Sequence, residues 1–249
     1  MNSILITGCN RGLGLGLVKA LVKSSKPPHH IFATCRNVDK AAELKDLANR
    51  NPSIHILEID LNNFESYANL VSRIGEVVKE NGLNVLFNNA GVAPKSTRIT
   101  TIKLEDLMQT LQTNTVVPIM LSKACLPLLK QAAAAATNGE QEMGVKRAAI
   151  INMSSILGSI EANTDGAMYA YRTSKAALNA ATKSMSIDLF QNKILCVCLH
   201  PGWVRTDMGG SNAPLDVDTS SSKIIETLFK FNGSNNGGFY QYDGKKLPW

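Results

Sequence analysis

The chain has 249 residues, of which 44% are hydrophobic and 18% charged, and its formal net charge is +6. This composition is typical of a soluble globular protein, and the length suits one large domain, which we assign to 1–249. The basic residues are dispersed and only 6% of residues are aromatic, which argues against nucleic-acid binding. No apolar run approaches the roughly 18 residues of a membrane span, so we expect neither a span nor a secretory signal.

The five cysteines indicate an intracellular protein. They lie at Cys9, Cys35, Cys125, Cys196 and Cys198, without a CxxC spacing and mostly in apolar segments. We interpret them as reduced thiols of a cytoplasmic protein, and we expect neither disulfides nor a metal site.

Short β-rich runs alternate with helix-length segments along the whole chain. The strands are predicted at 3–7, 30–35, 54–59, 84–87, 148–153, 195–200 and 237–242. The helices are predicted near 13–24, 38–50, 64–80, 103–136, 170–190 and 219–231. Several strands are apolar on both faces, as in a parallel sheet covered by helices. The pattern predicts an α/β fold, a doubly wound Rossmann-type domain with a seven-stranded, mainly parallel sheet and helices on both faces.

Two polar stretches are predicted to be loops. The segment 131–144, "QAAAAATNGEQEMG", reads as a helix end followed by an exposed connection. The segment 209–222, "GGSNAPLDVDTSSS", follows the sixth strand. Because loops after the strands line the ligand crevice of open α/β sheets, we expect 209–222 to form a substrate lid.

A glycine-rich turn follows the first strand. Gly8, Gly12 and Gly14 lie where a helix begins, and glycines there let the backbone approach a diphosphate that the free helix N–H groups bind. The second strand ends at Arg36, where NAD-specific domains usually carry an acidic residue. Two guanidinium groups, Arg36 and the nearby Arg11, suit the 2′-phosphate of NADP, although Arg36 alone also fits a plain surface arginine.

Polar or glycine clusters follow the other strands as well. They comprise Asp60, the "NNAG" sequence at 88–91, Ser154 with Ser155, and the "PGWVRTDM" sequence at 201–208. Each cluster alone could be a helix cap or a turn. Together they fall at the carboxyl ends of strands, where this architecture binds ligands.

Tyr171 and Lys175 are four residues apart in a predicted helix and therefore neighbours on one face, whereas Tyr169 points away from the lysine. An ammonium beside a phenol favours the phenolate, and such a tyrosine can serve as a general acid. The ordinary alternative is a surface tyrosine beside a solvated lysine.

The combination of Thr7, the glycine-rich turn, 88–91, Asn114, Ser155, Tyr171-xxx-Lys175 and Pro201-Gly202 resembles the short-chain dehydrogenase/reductase family over the whole chain. The resemblance implies an NADPH/NADP+-dependent enzyme that reduces aldehydes or ketones, with Asn114, Ser155, Tyr171 and Lys175 as its catalytic residues. It implies that the diphosphate and ribose are bound by Gly8, Asn10, Arg11, Gly12, Leu13 and Gly14, and the adenine by Asp60 and Leu61. It further implies a cofactor pocket lined by Asn89, Ala90, Gly91, Asn114, Tyr171, Lys175, Pro201, Gly202, Val204 and Thr206.

In the implied roles, Tyr171 donates the proton, Lys175 binds the nicotinamide ribose and lowers the pKa of Tyr171, Ser155 binds the carbonyl, and Asn114 holds a relay water. Tyr169, Trp203 and the segments 94–98 and 156–165 are expected to wall the pocket. The stretch from Ser155 to Tyr171 is a few residues longer than in most family members. The small residues of the 170–190 helix suit either a homodimer contact or packing on the sheet. Two alternative functions are an alcohol or hydroxysteroid dehydrogenase and a catalytically silent nucleotide-sensing module.

Overall fold

A computed structural model describes residues 1–95, 98–136 and 142–249. Seven strands form one sheet in the order β3-β2-β1-β4-β5-β6-β7. Their bounds are Ser3–Ile6, His30–Cys35, Ile54–Glu58, Val85–Asn88, Ala149–Met153, Leu195–His200 and Phe239–Gln241, for β1 to β7. All six strand pairings are parallel, so the sheet of the described residues is more uniform than the expected mainly parallel one.

Seven α-helices surround the sheet in the described part of the chain. They are α1 Gly12–Lys23, α2 Ala42–Arg50, α3 Tyr67–Val78, α4 Leu104–Leu111, α5 Val117–Ala135, α6 Tyr169–Asp188 and α7 Val217–Leu228. Each predicted strand and helix is present, and most ends differ by one to four residues. The main differences are α2, which begins only at residue 42, and α7, which takes in 217–222 of the predicted loop 209–222.

Successive strand residues face opposite layers, which divides the core in two. In β1, Ile4 and Ile6 pack with the apolar faces of α1, α2 and α7. Leu5, between them, packs with α3 and α5 on the other side. Both faces of the strands are therefore buried, as expected for a parallel sheet between helical layers.

The predicted helix 103–136 is interrupted by a π-helical turn. Residues Gln112–Val116 adopt this wider form between α4 and α5, and Asn114 lies within it. π-Turns of this kind are frequent at functional sites. Residues 137–141 of the predicted connection lie outside the described residues.

The combined helical run Leu104–Ala135 is apolar and long enough to cross a membrane, with a mean hydropathy of 1.3 over its most apolar window. The run meets this criterion by length and composition alone, and Lys123 and Lys130 interrupt its apolar residues. Half of that window is buried inside the protein, and α5 packs Leu121, Cys125 and Leu129 into the core. These contacts are typical of the core helix of a globular domain.

Candidate active site

The glycine-rich turn lies at the carboxyl-terminal end of the sheet strands, called the sheet edge below, where β1 runs into α1. Gly8 and Gly12 adopt φ values of +72° and +56°, which favour glycine. A Cβ atom on Gly14 would lie 2.1 Å from the Gly8 carbonyl oxygen, so a side chain there would push α1 away from the turn. Arg11, at the N-cap, makes no side-chain cap, which leaves the first-turn N–H groups of α1 without that partner.

The end of β4 is fixed to the end of β1 by Thr7. Its hydroxyl oxygen accepts hydrogen bonds from the backbone N–H groups of Asn89 and Ala90, both at 2.9 Å. The Asn89 side chain in turn donates to the Thr7 carbonyl at 2.8 Å. These bonds place residues 89–91 beside the glycine-rich turn, at the point where the strand order reverses. Thr7 belongs to the predicted motif, but its positioning role was not foreseen.

Arg36 lies exposed after β2, and Asp60 lies exposed after β3. Asp60 accepts a hydrogen bond from the backbone N–H of Asn62 at 3.0 Å, and the adjacent Leu61 is buried. The carboxylate of Glu58, the last residue of β3, accepts from the N–H of Val38 at 2.8 Å. The predicted adenine-binding residues therefore share one corner of the sheet edge with Arg36.

Arg11 points toward a different partner. Its guanidinium pairs with Asp207, which follows the predicted nicotinamide-flanking segment, and both side chains are exposed. Gly12 lies close by, since a Cβ atom on it would be 3.6 Å from the Thr206 methyl group. The glycine-rich turn thus contacts the segment after β6, and Arg11 is engaged there.

The two serines after β5 have different partners. Ser154 is 1% exposed and donates to the side-chain oxygen of Asn179 on α6 at 2.6 Å. Ser155 accepts from the N–H of Leu157 at 3.2 Å, and its hydroxyl lies close enough to the Tyr171 phenol to lower the pKa of that phenol. Ser155 is therefore the serine that lies beside Tyr171, and Ser154 connects the end of β5 to α6 through Asn179.

Lys175 lies one turn beyond Tyr171 on α6. Its Nζ atom is 5.7 Å from the centroid of the Tyr171 ring and donates to the carbonyl oxygen of Met153 at 2.7 Å. A Cβ atom on Gly91 would lie 3.6 Å from this nitrogen, an ordinary contact, and 3.2 Å from the Asn114 side-chain oxygen, which is tighter. The lysine is 3% exposed, which contradicts the alternative of a solvated surface lysine.

Burial governs the proton affinities of this pair. It lowers the pKa of Lys175 to about 8, against a smaller opposing effect of Cys198. Burial also raises the pKa of Tyr171, and the hydrogen bond with Ser155 opposes that rise. The pKa of Tyr171 is thus raised overall because desolvation of the phenol is the larger effect, and the expected lowering by Lys175 stays a prediction.

Asn114 connects the π-helical turn to two other parts of the site. Its side chain exchanges two hydrogen bonds of 2.8 Å with the backbone of Val92 and donates to the hydroxyl of Ser174 at 3.0 Å. Both amide hydrogens are used, so the side chain has none left for the expected relay water. Pro118, four residues on, has no N–H to donate to the Asn114 carbonyl as a regular α-helix requires.

The segment after β6 folds back onto α7. Pro201 accepts from the hydroxyl of Ser220 at 2.7 Å, and Gly202 adopts a φ of +83°. Val204 is buried and pairs with Leu215 in an isolated bridge. The side chain of Trp203 is 56% exposed. Much of the predicted loop 209–222 is therefore tied to the fold, and its last six residues belong to α7.

The remaining predicted site residues lie at the same sheet edge. Asn10 and Leu13 are half-buried in the glycine-rich turn, and Tyr169 is half-buried at the start of α6. Residues 96 and 97 of the expected wall 94–98 lie outside the described residues. The described members of the predicted set thus lie on the loops and helices that follow β1 to β6, with Tyr171 and Lys175 on α6 and Asn114 in the π-helical turn.

These features fit a dinucleotide. A side chain on Gly14 would clash with the turn where a diphosphate would meet α1, and a side chain on Gly91 would press on the Asn114 side-chain oxygen. The parallel order 3-2-1-4-5-6 with such a turn after β1 defines a dinucleotide-binding domain. The sequence profile of the short chain dehydrogenase family matches residues 2–215, and the chain belongs to this family.

Solved structures resemble the chain over its full length. The carbonyl reductase Sniffer of D. melanogaster is 67% identical, with a TM-score of 0.98 and 100% of both chains covered. An NADPH-bound carbonyl reductase from chicken fatty liver is 39% identical, with a TM-score of 0.93, covering 100% of this chain and 99% of that one. Among curated relatives, the C-signal protein of Myxococcus xanthus is 39% identical over 167 residues, which cover 67% of this chain and 93% of that protein.

Proposed function

We propose that the chain is an NADPH-dependent carbonyl reductase that acts on aldehydes or ketones. The observation that carries this proposal is the meeting of Ser155, Tyr171 and Lys175 in a buried site beside the glycine-rich turn. The likeness to an NADPH-bound carbonyl reductase supports the choice of cofactor and reaction.

Reduction of a carbonyl needs a hydride, a proton and a donor that stabilises the developing alkoxide. NADPH supplies the hydride when it is bound, held by the predicted residues of the turn and of 89–91. Tyr171 remains protonated at neutral pH because burial raises its pKa, so it is the proton donor. The Ser155 hydroxyl, already within hydrogen-bonding reach of the phenol, binds the same carbonyl oxygen.

Lys175 serves the reaction through its charge and its fixed position. With a pKa of about 8 it is mostly an ammonium at pH 7, and the Met153 carbonyl holds it in place. We assign it to the hydroxyl groups of the nicotinamide ribose. The positive charge near the Tyr171 ring stabilises the phenolate that remains after proton transfer. We therefore predict that the pKa of Tyr171 is lower with the Lys175 ammonium beside it than without that charge.

Asn114 completes the relay through its backbone. Its side chain holds Val92 and Ser174, while its carbonyl has no N–H partner from Pro118. We assign the relay water to the backbone carbonyl of Asn114, because both hydrogens of its side-chain amide are used. The side chain keeps the carbonyl in place, because it fixes the π-helical turn to both neighbouring segments.

The 2′-phosphate is assigned first to Arg36. The nearest acid in the sequence, Asp39, is paired with Lys45 at 3.3 Å, and Glu58 is hydrogen-bonded to a backbone N–H. Both carboxylates are thus engaged, and Arg36 is exposed at the end of β2. Arg11 is paired with Asp207 and would have to leave that partner to reach the phosphate.

NADPH consumption followed at its absorbance band tests the function, with a panel of reactive aldehydes and quinones. Turnover with several of them is expected. Faster NADP+ reduction with secondary alcohols or hydroxysteroids would favour the dehydrogenase alternative. NADPH binding without any turnover would favour the nucleotide-sensing module, although the intact Ser155–Tyr171–Lys175 set argues against it.

Cofactor preference tests the assignment of Arg36. One charge-assisted hydrogen bond contributes about 1.5–3 kcal/mol, so kcat/KM should be at least about tenfold higher with NADPH than with NADH. Arg36→Asp should erase or invert that ratio, because it removes an attraction and adds a repulsion. Arg73→Asp, an exposed change on α3, is the matched control and should leave the ratio unchanged. Equal efficiencies in the unmodified enzyme would contradict the role of Arg36.

We also propose a cytoplasmic homodimer. All five cysteines are free and buried, which suits a reducing compartment. The α6 helix packs against β6 and α4 through its buried face, while Ala180 and Ile187 remain exposed on it. Sedimentation of the purified chain would distinguish a dimer from a monomer, and Ile187→Glu should shift a dimer toward the monomer if α6 forms the contact.

A further inference from the structure

The chain between Ser155 and Tyr171 forms one wall beside the reacting groups, and residues 156–168 are called the entrance loop below. Its first turn, Ile156–Gly158, is capped by the Ser155 hydroxyl. A Cβ atom on Gly158 would lie 2.7 Å from the Lys175 Cβ, so the loop backbone is seated directly on α6. The start of the loop is thus fixed by the catalytic helix.

The next part of the entrance loop is held by one distant atom. A main-chain oxygen of Trp249 accepts three hydrogen bonds of 3.0 Å, from the Ser159 hydroxyl and from the N–H groups of Ile160 and Glu161. Ser159 is 2% exposed, and its oxygen also accepts from the N–H of Ala162 at 3.0 Å. Four consecutive residues of the loop therefore depend on Trp249, directly or through Ser159.

Trp249 is itself anchored to the sheet. Its indole stacks on Phe239 with ring centroids 5.7 Å apart and an interplanar angle of 22°. Phe239 is fully buried in β7. The N–H of Leu247 donates to the Phe239 carbonyl at 2.8 Å, which brings the chain back along the strand. A continuous set of contacts therefore leads from the core of β7 through the indole to the entrance loop.

We propose that Trp249 is a positioning residue for substrate entry: its indole stack on Phe239 holds the main-chain oxygen that fixes residues 159–161 of the entrance loop. This inference rests on the proposed carbonyl reductase function. Ile160, 80% exposed, is presented by the fixed segment as an apolar side chain. The start of the loop lies against Lys175, so a bulky carbonyl compound that extends beyond Ser155 and Tyr171 would meet this wall, whereas a small aldehyde needs only those two residues. Loosening the segment should therefore weaken the binding of large substrates selectively.

Three variants separate this role from general destabilisation. Trp249→Ala removes the stack, and Trp249→Phe keeps an aromatic ring on Phe239 and should restore the unmodified behaviour. Phe190→Ala removes an exposed aromatic ring after α6, away from the entrance loop, and is the matched control. Ser159→Ala removes one of the three donors and leaves the stack intact, so it tests the contact if Trp249→Ala does not fold.

The first readout is backbone hydrogen exchange of Ile160 and Glu161. Exchange at both amides should become at least about tenfold faster in Trp249→Ala, since the oxygen that accepts from each amide is no longer held in place by the stack. The second readout compares KM for a small aliphatic aldehyde and for a polycyclic aromatic quinone. We expect KM for the quinone to rise about tenfold, with kcat and the aldehyde KM within about threefold. Ser159→Ala should show the same direction with a smaller change.

Unchanged exchange at both amides in Trp249→Ala would overturn the proposal, and so would an equal KM rise for both substrates. Failure of Trp249→Phe to restore the quinone KM would also overturn it, because the stack would then not be the anchor. These results are distinct from failure of the proposed function, in which the unmodified protein would reduce neither compound. Exchange does not require turnover, so it decides the contact in either case.

Discussion

His200, the last residue of β6, should make the protein markedly less stable at mildly acidic pH. The side chain is 9% exposed, and its Nδ1 atom is buried without a hydrogen-bond partner in the described structure. Burial disfavours the charged imidazolium and lowers the pKa of His200 from 6.5 to about 4. The native protein therefore holds this histidine neutral at pH values where the unfolded chain protonates it.

The size of the effect follows from the difference between the two pKa values. As the pH falls from 6.5 to about 4, the unfolded chain binds a proton that the native state does not bind, and the free energy of unfolding decreases. At about 1.4 kcal/mol per pH unit, the interval between 6.5 and about 4 corresponds to about 3 kcal/mol. This loss is a large share of the stability of a typical domain, about 5–15 kcal/mol.

Urea unfolding followed by circular dichroism between pH 4.5 and 7 measures this loss, with His200→Asn as the non-titrating variant. The pKa values of His30 and His55 are also lowered by burial, so the unmodified protein has additional acid sensitivity. The informative quantity is therefore the difference in pH slope between the two proteins. Parallel slopes for the unmodified protein and His200→Asn would refute the reasoning.

Three further predictions concern catalysis. Tyr171→Phe should lower turnover by about 10²–10⁴-fold with little change in NADPH affinity, whereas Tyr169→Phe should keep most activity. Similar steady-state rates in the two variants would contradict the proton-donor assignment. Ser155→Ala should lower kcat by about 10²–10³-fold, and Ser154→Ala, which loses a bond to α6, should mainly lower the melting temperature; the reverse order would exclude Ser155 as the carbonyl-binding residue. Because burial lowers the pKa of Lys175 to about 8, the reduction rate at saturating NADPH should fall as the pH rises through about 8. A rate that stays constant well above that pH would show that the charge of Lys175 is not required.

The architecture was accessible from the sequence because its signals are local. Buried parallel strands such as β1 and β6 are short continuous apolar runs, and the turn at Gly8 and Gly12 requires positive φ values that glycine favours. The spacing of Tyr171 and Lys175 placed them on one helix face. These features depend on neighbours a few residues apart, so composition and spacing are sufficient to predict them.

The contacts that tune the site depend on distant residues and were not predictable. Arg11 meets Asp207 only because the loops after β1 and β6 lie side by side at the sheet edge. Trp249 reaches Ser159 only because the chain returns along β7. The raised pKa of Tyr171 depends on how deeply the phenol is buried, and the spacing of residues along a helix does not predict that depth.

The π-helical turn sets the rotational phase of the long helical run around it. A regular α-helix turns by about 100° per residue, so one residue more or less rotates everything beyond it by that angle. The extra residue in Gln112–Val116 lets Asn114 face Val92 while Leu121 faces the sheet. A one-residue deletion in this turn would leave both helices intact and put those two side chains out of phase. Either the packing of Leu121 or the contact of Asn114 with Val92 would therefore be lost. The π-helical turn adjusts the rotation of the helical run so that both contacts form.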